Sequence, residues 1–167
     1  MMRKIKKFNL ILVLSLLMVF ILPVTAVWAE DTSIVNTQLL NDINALRSSQ
    51  GLGGLSMDNS LTQVAATRAQ EASTVWSHTR PNGTQGISML PSNKWRGENL
   101  AYVQYGSFTF TPGEQQSAAS LMFSNLKASP THYNNMVFGN FTKIGIYTYV
   151  TQTGTGYKLT TAMMFSN

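Results

Sequence analysis

The feature that most restricts this chain is a pair of alternating runs near its end. Over residues 142–151, Ile144, Ile146, Thr148 and Val150 fall on one side and Tyr147 and Tyr149 on the other, and residues 157–165 alternate likewise. Gly154 and Gly156 lie between the runs, so the pattern predicts an antiparallel hairpin with a loop of a few residues. What precedes it is mostly helical in period. Val35, Leu39, Ile43 and Leu46 mark one face of a helix that stops at Gly51, Gly53 and Gly54. A second helix starts after Asp58, Asn59 and Ser60, any of which can cap it, and carries Leu61, Ala65, Ala69, Ala72 and Trp76 on one stripe. The small residues in that stripe imply close approach to a sheet, and Arg68 and Glu71 are spaced to pair on the helix surface. In a third helix Thr111 is the N-cap, Pro112 takes the first helical position and Glu114 completes a capping box. That helix runs through Ala118, Leu121, Met122 and Leu126 and ends near Ser129, because Pro130 disfavours helix in the residue before it. Helices first and strands last is an α+β order, not a repeated βαβ one.

The front of the chain is a targeting segment. Arg3, Lys4, Lys6 and Lys7 precede an apolar run from Phe8 to Leu22, then Pro23 and a small-residue exit at Val27, Trp28 and Ala29. Residues 1–29 therefore read as a secretory signal peptide cleaved after Ala29, too short in its apolar part for a span of about 20 residues. Removing those four cations from the 12 Lys and Arg leaves eight against 7 acids, so the exported chain is near neutral. The basic charge belongs to the leader and gives no ground for a nucleic-acid partner. Nor does any second apolar run supply a transmembrane anchor after cleavage. There is no cysteine, which removes disulfides, thiol chemistry and a lipid anchor on Cys. Residues 30–167 suit one domain that buries its own core, secreted and extracellular.

Chemistry concentrates around Trp95–Ala101, where Glu98 stands between Gly97 and Asn99 at a turn-to-strand junction. The chain has 2 histidines, His78 and His132, each close to a proline at the end of a regular element. Between His78 and the Glu98 stretch, residues 79–94 form a polar loop broken by Pro81, Gly83, Gly86 and Pro91, the kind of segment kept for function. Two neutral imidazoles and a carboxylate are competent for zinc, while a glutamate can instead orient one histidine by hydrogen bonding, or accept backbone amides at the turn. Ser77, Ser124 and Ser129 lie near the histidines, so a Ser, His, Glu hydrolase is chemically possible, but no Gly-x-Ser-x-Gly elbow or His-Glu-x-x-His helix is present. The aromatic run Tyr102, Tyr105, Phe108 and Phe110 fits either a strand packing on the core or a lipid-binding segment.

An ordered set of residues resembles a known family. Asn44 with Arg47, then Gly51, Leu55, Asp58, Leu61, Ala65 and Arg68, then Ser77, His78, Arg80 and Pro81, then Gly97 to Ala101, then Ser129, Pro130, His132 and Asn135, and finally Ile144 to Ile146 are similar to a bacterial CAP domain. That superfamily comprises cysteine-rich secretory proteins, antigen 5 and pathogenesis-related 1. The resemblance implies a three-layer α/β/α sandwich with a small antiparallel sheet between helices. It also implies a cleft in which two histidines and two acids hold a divalent metal. His78, Glu98 and His132 correspond to three of those four, with His78 and His132 as the implied metal ligands and Asn99 and Ser129 in support. The second acid is missing between Asn125 and Ser129, and Leu126 replaces a tryptophan common in that helix. The family-based expectation is a secreted, non-catalytic binding module with no assigned catalytic residue, holding zinc or another divalent metal weakly. Its partner would be an extracellular protein, a cell-wall component or a small molecule. A metal- or Ser/His-dependent hydrolase and a lipid or sterol binder are the alternatives.

Overall fold

The computed structural model describes residues 30–167, and the expected leader at 1–29 lies outside them. Helix α1 (Ser33–Ser49) leads through a two-residue strand β1 (Ser56–Met57) into α2 (Asn59–Thr74). A loop with one 3₁₀ turn (Gly86–Met89) follows, then β2 (Arg96–Tyr105), α3 (Pro112–Ala128), a short α4 (Pro130–Met136), β3 (Lys143–Thr153) and β4 (Gly156–Ser166). The sheet order is β1-β3-β4-β2. The expected hairpin is β3 and β4, paired from Lys143↔Ser166 to Thr153↔Gly156. The sheet is mixed rather than purely antiparallel, because β1 pairs parallel with β3 at Ser56↔Lys143 and Met57↔Ile144.

The three long strands have apolar residues on both faces, and helices cover both. On one side Val35, Leu39 and Ile43 of α1 and Ala118, Met122 and Leu126 of α3 meet Ile144, Ile146, Leu159, Met163 and Phe165. On the other, Leu61, Ala65, Ala69 and Ala72 of α2 lie on Leu100, Ala162 and Met164, with Tyr147 and Tyr149 beside them. The alanine stripe brings α2 so close that a Cβ at Gly145 would overlap the backbone of Leu61 and Thr62. The result is the α/β/α sandwich.

Capping follows the sequence. Asp58 accepts from the Leu61 N–H at 3.0 Å, and Thr111 with Glu114 forms the capping box at the start of α3. Arg47, 1% exposed, donates to the carbonyls of Gly53, Met136, Phe138 and Phe141, tying the end of α1 to the connection between α4 and β3. Asn44 bonds both the N–H and the C=O of Leu55.

Three local expectations are corrected. Arg68 pairs with Glu71 as its spacing predicts, but not on the surface: it is 0% exposed and turns into the protein from the same stripe as Ala65, Ala69 and Ala72. Trp76 lies beyond the end of α2 and is 48% exposed, not part of its buried stripe. Leu121 on α3 is likewise 48% exposed.

Candidate functional site

The structure brings Glu98 and both histidines to one end of the sandwich. Glu98 lies on β2 with its side chain toward α2, 6% exposed. Arg68 meets it there, with Nε donating to Oε2 at 2.7 Å and Nη2 to Oε1 at 3.3 Å. Arg68 also donates to Glu71 Oε2 at 2.6 Å and to the Ser77 carbonyl at 2.9 Å, so the guanidinium is satisfied on several sides. Glu71 in turn accepts from Arg80, with Nη2 at 2.8 Å. A charge-balanced chain Arg80, Glu71, Arg68, Glu98 thus runs inward from the surface.

His78 closes that chain. Its Nδ1 lies 2.7 Å from Glu98 Oε1. Burial works to raise the Glu98 carboxyl, but the hydrogen bonds from His78 and Arg68 and the charge of Arg68 outweigh it and hold it below its ordinary range. Ionised Glu98 therefore accepts the Nδ1–H of His78, and the ring lines the cleft. The expectation that Glu98 accepts backbone amides at its turn is replaced by this side-chain pairing. The alternative, that it orients a histidine, describes the geometry. Gly86 fits against the pair: its N–H donates to the His78 carbonyl at 2.8 Å, and a Cβ there would overlap Glu98 Oε2 and Arg68 Nε.

His132 reaches the cleft from the opposite side, on α4. The sequence concealed that helix because Pro130 reads as a terminator of α3, whereas proline at a first helical position also starts a helix. Ser129 stands at the junction, and its carbonyl accepts from the Tyr133 N–H at 2.8 Å. Asn99, 0% exposed, donates its amide to the His132 carbonyl at 3.0 Å and accepts from Asn135 Nδ2 at 2.8 Å. The two imidazole centroids are 6.4 Å apart with a 40° tilt. Burial and the neighbouring His78 push the His132 ring below its ordinary pKa, toward the neutral form.

Around these groups lies an open polar cavity of about 360 Å³ lined by His78, Gln85, Arg96, Thr131, His132 and Asn135 among others. His132 is shared with an adjoining groove of about 480 Å³ that includes Trp76, Tyr102, Leu121, Asn125 and Ser129. Among the described residues no serine hydroxyl is hydrogen-bonded to either imidazole, and the Ser77 hydroxyl accepts instead from the Thr79 N–H.

The donor set falls short of a zinc site. Both oxygens of Glu98 are engaged by Arg68 and His78, and a catalytic zinc uses three protein ligands. Two imidazoles remain. Among the described residues no three His, Cys, Asp or Glu side chains are grouped to hold a metal ion.

Three layers around a four-stranded sheet, with a polar two-histidine cleft at one end, define an α/β/α sandwich of the secretory-protein type. The chain belongs to the CAP, or cysteine-rich secretory protein, family, whose pattern matches residues 40–164. The fold is shared with an outer surface protein of Borrelia burgdorferi (TM-score 0.63, 21% identity, 84% of this chain and 97% of that one). It is also shared with an extracellular SCP-domain protein of Bacillus anthracis (TM-score 0.56, 20% identity, 80% of this chain). The chain spans 40% of that Bacillus protein. A third similar structure is that of NaASP2 with Zn²⁺ (TM-score 0.54, 17% identity, 82% of this chain and 80% of that one). No curated protein matches the chain significantly in sequence. Among the described residues no helix is long and apolar enough to cross a membrane.

Proposed function

We propose that this is a secreted binding module that acts without catalysis, residues 30–167 forming its one domain after removal of the leader. The observation that carries the reading is the state of Glu98. Its carboxylate is buried, ionised and fully engaged by Arg68 and His78, so it acts as a fixed strut and not as a free acid or base. Beside it the cleft offers the His78 and His132 rings, Arg96 and the Asn135 amide, a set suited to hydrogen-bonding an extracellular protein, peptide or cell-wall ligand.

Hydrolysis needs a nucleophile next to a base. No serine is hydrogen-bonded to either imidazole among the described residues, and two imidazoles alone are a poor cage for an activating metal. The lipid reading loses part of its support, because three of the four aromatics pack together while Tyr102 stays exposed. Tyr105 stacks on Phe108 at 5.0 Å, Phe108 meets Phe110 at 4.8 Å and Phe110 meets Tyr157 at 5.5 Å.

The test compares turnover of casein and of p-nitrophenyl acetate by the parent chain, His78→Ala and His132→Ala, with and without added Zn²⁺. Equal background rates in all three are expected. Turnover that vanishes in either correctly folded variant would establish a hydrolase instead.

A further inference from the structure

Beyond the histidine cleft, the outer edge of β2 is open. β1 donates the Ser56 N–H to the Thr142 carbonyl at 3.0 Å and the Asp58 N–H to the Ile144 carbonyl at 2.8 Å. Even-numbered peptide groups of β3 therefore face β1, and odd-numbered ones face β4. Antiparallel pairing carries that parity across the sheet through Gly145↔Met164 and Met163↔Asn99. Odd-numbered residues of β2 thus bond to β4, while Glu98, Leu100, Tyr102 and Gln104 turn their N–H and C=O groups outward. The Glu98 carbonyl is taken by Asn135 Nδ2 at 3.2 Å, an independent sign that this parity is right. Among the described residues nothing bonds the backbone of Leu100, Tyr102 or Gln104 on that side.

This bare edge is the floor of the 480 Å³ groove. One wall is Trp76 packed edge-on against Tyr102 at 4.8 Å, with Lys158 Nζ 5.0 Å from the Tyr102 ring centre. The other is Leu121 and Asn125 of α3. Trp76, Tyr102 and Leu121, between 44% and 48% exposed, are large apolar side chains left open to solvent, and all three line this groove.

We propose that this groove docks an extended polypeptide segment, which adds to the sheet as a further strand along Leu100–Gln104. The inference rests on the binding-module reading and names its partner class. The floor presents N–H and C=O groups alternating in partial charge at the strand repeat, and that row is complementary to the backbone of another strand. An acyl chain in the same groove would bury those groups without partners, at a cost of desolvation it could not repay. The protruding walls exclude the sheet edge of a second folded copy, whose own flanking helices would meet Trp76 and Leu121. A single unfolded strand passes between them. Its side chains would alternate between the Trp76–Tyr102 wall and the Leu121 wall, so apolar and β-branched residues on both faces are favoured.

The test pans the purified chain against a display library of random 12-residue peptides and maps the enriched peptides by amide hydrogen exchange. Binding should slow exchange of the Leu100, Tyr102 and Gln104 N–H groups at least tenfold. Methylating alternate backbone nitrogens of a selected peptide should weaken it at least tenfold in one register and leave the other register unchanged. Gln104→Pro removes an outward N–H that the sheet does not use, so it should keep the far-ultraviolet circular dichroism and lose the peptide. If that variant misfolds, the exchange pattern and the methylated peptides decide alone. No enrichment, or enriched peptides that leave the three amides unprotected, would overturn the proposal. Peptides that instead perturb His78 and His132 would do so while leaving the binding-module reading intact.

Discussion

Replacing Glu98 with glutamine keeps the shape of the side chain and removes its charge from a site where Arg68 and Glu98 are 0% and 6% exposed. Glutamine offers one acceptor oxygen where the carboxylate accepts from Arg68 Nε, Arg68 Nη2 and His78 Nδ1. One of these donors must then face an amide NH₂. Breaking a buried ion pair by removing one partner costs about 3–5 kcal/mol. Arg68 keeps Glu71 at 2.6 Å and the Ser77 carbonyl at 2.9 Å, which places the loss at the lower end, about 3 kcal/mol. Near 140 residues this corresponds to a fall of about 10 °C in Tm.

The pH dependence follows from the same pair. The Glu98 carboxyl titrates below its ordinary range in the folded chain, so its contribution is complete above the unfolded value near about 4.3 and is lost as pH falls through the folded one. Urea melts of parent and Glu98→Gln should therefore differ by about 3 kcal/mol at pH 7 and converge at acid pH. A cycle with Arg68→Met isolates the pair, with a coupling energy well above about 0.5 kcal/mol expected. A gap under about 0.5 kcal/mol at pH 7, or one that persists unchanged in acid, would refute the ion-pair account.

His78→Ala and His132→Ala should each fold and lose about 0.5–3 kcal/mol in denaturant melts, since both rings line a cleft; failure of either to fold would make that histidine a core strut. Stability of the parent should also decline as pH drops below about 6.5, because the unfolded His132 takes a proton before the folded one does, and the decline should shrink in His132→Ala. Gly86→Ala should destabilise the chain by an amount similar to Glu98→Gln, since its Cβ displaces the Arg68–Glu98 pair, and the two changes together should be far from additive in melts. The exported protein should begin at Glu30 on N-terminal sequencing of culture supernatant, and an intact Met1 in washed membranes would contradict the leader assignment.

How much of this could be read from the chain depends on range. The apolar face of α1, the Asp58 cap, the capping box at Thr111 and the hairpin are set by neighbours within a few residues, and each stands where the pattern puts it. The spacing of Arg68 to Glu71 gives their pairing but not the burial of Arg68, whose second carboxylate, Glu98, is 30 residues away. A second signal was available. Leu61, Ala65, Arg68, Ala69 and Ala72 fall at helical intervals on one stripe, and all are buried. A cation there must find a buried anion, since an unpaired one is too costly. Glu98, flanked by residues of a β-prone stretch, was the available carboxylate.

The placement of the two histidines has one origin that alternation explains. Adjacent residues on a strand point to opposite faces, so Glu98 and Asn99 of β2 necessarily reach into different layers. Glu98 turns toward α2 and holds the His78 ring through Nδ1. Asn99 turns toward α4 and holds the His132 carbonyl, while Asn135 bridges the two residues by donating to the Glu98 carbonyl and to Asn99 Oδ1. One dipeptide on an edge strand thereby holds the His78 ring and the backbone of α4 at His132. The His78 ring needs no metal to be positioned. The His78 ring is oriented by a buried carboxylate, and the helix that carries His132 is anchored by a pair of amides.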